Sequence, residues 1–76
     1  MNNLMYELVC SDIRIAELKL KRIKLCRKQL LNNKPSQLYQ KKFKIWQLKL
    51  NALKKEENFI IEELNKAYID LENFFN

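Results

Sequence analysis

The 76-residue sequence contains no glycine, no histidine and no threonine, and Pro35 is its only proline. Without glycine there is no phosphate-cradling loop, no Rossmann turn and no type I′ hairpin. Without histidine there is no imidazole for acid–base work or metal ligation. Cysteine is scarce as well. If Cys10 and Cys26 share a helix, 16 positions at ~1.5 Å each hold them about 24 Å apart, too far to bridge within one chain. They read as reduced thiols that act as small hydrophobes, and two cysteines without histidine make a poor metal site. No metal or other cofactor is expected. No apolar run approaches ~18 residues, and the start Met1-Asn2-Asn3-Leu4-Met5 lacks the charged and apolar regions of a signal peptide. A soluble, cytoplasmic chain with no membrane partner is the expectation.

What is present is 47% apolar and 32% charged residues. A chain this short buries only ~60% of the surface it exposes when unfolded, so its own core is marginal. One break divides it. Asn32-Asn33-Lys34-Pro35-Ser36 joins αL-tolerant asparagines, a proline that disfavours helix in the residue before it, and a serine able to cap the next helix. Everything else reads as helix, giving one all-α domain over residues 1–76: helix over about 3–31, turn 32–36, helix over about 37–74. A second break at Lys54-Lys55-Glu56-Glu57-Asn58 would give three helices. It is disfavoured because Lys and Glu are good helix formers and the three-four spacing crosses these residues without a slip.

That spacing is the main structural signal. On the first segment Tyr6, Val9, Ile13, Ala16, Leu20, Ile23 and Leu30 recur at alternating steps of three and four, interrupted by Arg27. On the second the series is Tyr39, Phe43, Trp46, Leu50, Leu53, Glu57, Ile60, Leu64, Ala67, Leu71, Phe74, with Glu57 out of character. A pattern of this kind specifies a left-handed, coiled-coil-like antiparallel hairpin. Folding at 32–36 makes facing residue numbers add to about 70, so Leu30 is expected to meet Tyr39, Ile23 to meet Trp46 and Val9 to meet Ile60. The second helix then overshoots the first, leaving Tyr68, Leu71, Phe74 and Phe75 without counterparts.

Each helix carries a second apolar stripe: Leu4, Leu8, Ile15, Leu18 and Leu25 on the first, Leu38, Ile45, Leu48, Ala52 and Phe59 on the second. Leaving some ten large side chains half wet would forgo on the order of 10 kcal/mol at ~25 cal/mol per Å², as much as a small domain's whole stability. These residues, with Tyr68 and Phe75, are the candidate interface of a homodimeric four-helix bundle or of a bundle completed by another partner.

Charge is ordered along the chain. Residues 18–55 hold 13 basic side chains and no acidic one, whereas residues 1–17 and 56–76 are net acidic, and the whole carries +6. In a tightly turned hairpin this makes a basic loop-end pole, with Lys21, Arg22, Lys24, Lys28, Lys34, Lys41, Lys42 and Lys44, and an acidic open end. An antiparallel dimer would lay each basic pole along the partner's acidic end. Arg27 and Glu57, about 13 positions or roughly 20 Å out of register within one such hairpin, are then expected to pair between chains.

No catalytic residues are expected. The neighbours Glu56-Glu57 and Glu62-Glu63 diverge by about 100° on a helix, and Ser11 and Ser36 have no base beside them. No small-molecule substrate is implied. The sequence points to a small non-enzymatic regulatory or inhibitory protein whose target is a macromolecule, protein in preference to nucleic acid. The Lys, Asn and Ile bias fits an AT-rich genome and a phage or mobile-element antagonist of a host factor. The alternatives are nucleic-acid binding through the basic pole, with the steep salt dependence of phosphate contacts, and a structural coiled-coil subunit. Tyr39, Phe43 and Trp46 fall on the inward stripe and read as core rather than as base-stacking residues.

Overall fold

A computed structural model describes residues 3–75, the side chain of Asn3 excepted. Two helices, α1 (Asn3–Asn32) and α2 (Gln40–Phe75), pack along their lengths as an antiparallel hairpin, a rod of 61 × 14 × 13 Å. Neither helix contains glycine or proline, and α2 runs without a break through Lys54–Asn58. No described helix is long and apolar enough to cross a membrane.

The inward stripes form the core. Ile13, Ala16 and Ile23 of α1 are buried with Ile60 and Leu64 of α2, and Val9, Leu20, Leu53, Ala67 and Leu71 pack against them. The core is thin. Among the described residues no large side chain is fully enclosed, as two helices can shield each other on one face only.

Both helix ends depart from expectation. No described residue has positive φ, so α1 does not end in an αL asparagine. Instead Asn33 stays near the helix axis and closes the last turn: its N–H donates to the Gln29 and Leu30 carbonyls, and its Nδ2 donates to Gln29 O at 3.0 Å. Ser36 does not cap α2. Its Oγ accepts from the Leu38 N–H at 3.3 Å and its carbonyl from the Tyr39 N–H, a turn that postpones the helix to Gln40, where Tyr39 O accepts the first helical bond from Phe43.

The longer connection changes the register. Contacting residues have numbers that add to about 84 rather than 70: Arg27 pairs with Glu57, Glu17 with Tyr68, and Tyr6 packs edge-on against Phe74 and Phe75. The expected facing pairs, Leu30 with Tyr39, Ile23 with Trp46 and Val9 with Ile60, are therefore displaced by about 14 positions, two heptads. Because a two-heptad slide returns every seam residue to the seam, the core composition survives while its pairing does not. The overshoot moves to the other end. Tyr68, Leu71, Phe74 and Phe75 lie against α1, and the first ten or so residues of α2 project about 15 Å past the end of α1 at ~1.5 Å per residue. The connection lies along this projection, with Asn33 and Pro35 lining a groove beside Lys42, Ile45, Trp46 and Lys49.

Candidate functional site

The polar pair inside the seam comes first. The Arg27 guanidinium donates to Glu57 Oε2 at 2.5 Å within one hairpin, and Glu57 is only 8% exposed. The expectation that the two residues pair between chains is overturned, because the displaced register brings them level. No buried side-chain polar atom among the described residues lacks a hydrogen-bond partner. An apolar seam repeats every seven residues and tolerates sliding; one buried ion pair does not, since any slide leaves a charge unpaired in the core. Arg27 and Glu57 therefore fix the register.

The projecting tip is held by aromatics. Trp46 is buried, and its Nε1–H reaches back to donate to the Leu30 carbonyl at 2.7 Å, a second donor on that oxygen beside the Asn33 N–H. Phe43 stacks on it with ring centroids 5.6 Å apart, and the ammonium of Lys34 lies 5.6 Å from the Trp46 ring and 5.8 Å from Phe43. A lysine on the linker thus straps the connection onto α2 through cation–π contact. Tyr39, expected on the inward stripe, is exposed, with Lys42 over its ring at 5.3 Å.

The register also redraws the charge map. Lys34, Lys41, Lys42, Lys44 and Lys49 stand at the tip with no acidic residue. The middle is mixed. Lys19, Lys21, Arg22, Lys24, Arg27 and Lys28 of α1 run beside Glu56, Glu57, Glu62 and Glu63 of α2, and one groove is lined by Lys19, Arg22, Glu56 and Glu63 together. The acidic residues of 56–63 therefore partly neutralise α1 instead of sitting at the open end, and the eight-residue basic pole splits: Lys34, Lys41, Lys42 and Lys44 reach the tip, whereas Lys21, Arg22, Lys24 and Lys28 do not. Glu7, Asp12, Glu17, Asp70 and Glu72 leave the open end acidic. There the Tyr68 phenol donates to Glu17, and that bond raises the phenol's pKa above its ordinary value, since losing the proton would set two anions together.

The second stripes remain in solvent. Leu4, Leu8, Ile15, Leu18, Leu25, Leu38, Ile45, Leu48, Phe59, Tyr68 and Phe75 are all exposed. They do not all point the same way. Leu18 is two positions from both Ala16 and Leu20, and Leu48 two from Trp46 and Leu50, so each points about 200° away from the seam. Ile15 of α1 and Phe59 of α2, by contrast, line adjoining grooves that share Lys19 and Glu63, so these parts of the two stripes border the same side of the rod.

The grooves between the helices are open. One is lined by Asp12, Ile15, Lys19, Glu63, Lys66 and Asp70, a mixture of signs with no converging acid–base pair. Glu57 turns into the seam while Glu56 and Glu63 border the grooves, so the neighbouring carboxylates diverge as helix geometry requires. Among the described residues no three His, Cys, Asp or Glu side chains gather as metal ligands, and Cys10 and Cys26 are unbonded thiols.

Comparison with protein-family models, with curated proteins and with solved structures finds no match for this chain. Sequence reasoning missed the Lys34–Trp46–Leu30 clasp. The signal for it was a tryptophan placed just beyond the linker, next to the open carbonyls of a helix end.

Proposed function

We propose that this protein acts by binding, as a dimer of hairpins, and that it is a small regulatory or inhibitory protein without enzymatic activity whose target is another protein. The observation that carries this reading is the pair of apolar flanks: Leu18 at 62% and Leu48 at 60% exposure head two rows of large aliphatic side chains on a rod whose core is one seam thick. Apolar rows of that length usually mark contacts. Exposed rows on both helices supply contact surface for a second copy and for the target. The α2 flank, Leu38, Ile45, Leu48 and Phe59, suits a groove on a protein because its anchors recur on one helix face.

One observation favours a second reading. The five tip lysines, with no acid among them and Tyr39 exposed beside them, offer a phosphate-attracting end. Light scattering separates the two. The protein reading expects a dimer mass that duplex or single-stranded nucleic acid does not change at physiological salt. A complex that forms at low salt and weakens steeply as salt rises would replace it with the nucleic-acid reading, and a mass that grows without limit would make the chain a filament subunit.

A further inference from the structure

Resting on the dimer reading above, we infer that the partner of the α1 flank is the α1 flank of a second copy, running antiparallel. The flank is a heptad series in its own right: Leu4, Leu8, Ser11, Ile15, Leu18, Arg22 and Leu25 follow steps of four and three, and Leu4, Leu8, Ile15, Leu18 and Leu25 are all at or above 49% exposure. Such a series forms a seam when a like series faces it. Running two copies in opposite directions sets Leu8 against Leu25 of the second copy and Ile15 against Leu18 of the second copy. Ser11 then meets Arg22 of the second copy, whose stem can lie along the seam while its head stays wet. The two-fold axis passes level with Ala16 and Glu17, close to the middle of α1 (Asn3–Asn32), so the two helices overlap along nearly their whole length.

Charge decides the direction. The first half of α1 carries Glu7, Asp12 and Glu17 with Arg14; the second half carries Lys19, Lys21, Arg22, Lys24, Arg27 and Lys28 without an acid. Antiparallel pairing borders the new seam with Asp12 opposite Lys19 and Glu7 opposite Lys28, each pair occurring twice, against one like-charged combination, Arg14 with Lys21. Parallel pairing would set each cationic half on its twin. None of Glu7, Asp12, Lys19 and Lys28 is held in an ion pair within the hairpin, where Arg27–Glu57 is the ion pair formed among the described residues. The α2 flank has no such symmetry: beyond Phe59 its heptad positions are taken by Glu62 and Lys66. Because Leu18 and Leu25 point away from the hairpin seam, the two hairpins meet through α1, and both tips stay open to a target.

The test uses two charge-reversed chains, one with Glu7→Lys and Asp12→Lys, the other with Lys19→Glu and Lys28→Glu. Lysine and glutamate are both good helix formers, so each chain keeps its hairpin seam, as far-UV circular dichroism will show. Alone, each variant places like charges at all four bordering positions, and sedimentation equilibrium at low ionic strength should find dimerisation at least about tenfold weaker than native. Mixed one to one, they should form a heterodimer within about threefold of native affinity. Leu18→Glu should by itself yield a helical monomer. A native dimer that both variants and Leu18→Glu leave unweakened would overturn this interface while leaving dimerisation intact, whereas a native chain that is monomeric at every concentration would overturn the dimer reading itself.

Discussion

Arg27→Ala should destabilise the hairpin by about 2–3 kcal/mol, a large share of the stability of a rod with so thin a core. The cost arises from Glu57, which stays in the seam with its charge uncompensated. Breaking a buried pair typically costs ~3–5 kcal/mol, and the lower figure applies because the Arg27 side chain retains 34% of its exposure. Replacing both residues by leucine should act in the opposite sense, matching or exceeding native stability by about 1–4 kcal/mol, because a continuous apolar seam has no desolvation penalty to offset. What the double variant should lose is uniqueness. With every seam layer apolar, hairpins slid by one or two heptads bury nearly the same side chains, and doubled amide resonances should appear in its NMR spectrum. Urea unfolding followed by circular dichroism measures the first effect and the spectrum the second; a single variant as stable as the native chain would contradict the role given to the pair.

Trp46→Ala should detach the tip. The substitution removes a buried aromatic, the donor to the Leu30 carbonyl and the ring under Lys34 at once, and losses of this kind run to ~3–5 kcal/mol. Its consequences should be local. The seam from Leu53 to Leu71 makes no use of Trp46, whereas residues 33–46 depend on it, so amide exchange should accelerate by about a hundredfold or more in that stretch and change little around Ile60 and Leu64. Trp46→Phe, which keeps the ring and loses the N–H, should cost only ~1 kcal/mol. Uniform acceleration throughout the chain would show that tip and seam are one cooperative unit.

The two experiments bear on the part of the molecule that the sequence conveys least. Helices, break and core face are legible because each rests on local chemistry: helix formers without glycine, Pro35 in the linker, and apolar steps of three and four. Register is not local. A seven-residue repeat is blind to a shift of 14, and the turn that was to fix it depends on whether Ser36 caps a helix or builds a turn that delays one, a choice made by Trp46 and Lys34 from outside the linker. The decisive clue was nevertheless in the chain. Arg27 and Glu57 are the two polar residues in otherwise apolar stripes, and of the registers differing by whole heptads, the one that levels them leaves no charge buried alone. The charge map followed the register: what reads as a basic middle and acidic ends becomes a lysine tip, a partly neutralised centre and an acidic end. The outer stripes were legible as unpartnered surface, but which of their residues point away from the seam and which border the grooves follows only once the seam is known.

The register underlies the tip, the charge map and the free α1 flank, and pulsed-EPR distances test it directly. Spin labels are attached at residues 21 and 65 in one chain and at 21 and 49 in another, with Cys10 and Cys26 replaced by serine and labelled protein diluted in unlabelled protein to suppress signals between copies. Native register places Lys21 roughly level with Asn65 and about 20 Å along the axis from Lys49 at ~1.5 Å per residue, so the first pair should give the shorter distance by a wide margin. A short distance between 21 and 49 with a long one between 21 and 65 would show a tightly turned hairpin two heptads away, and would contradict the account.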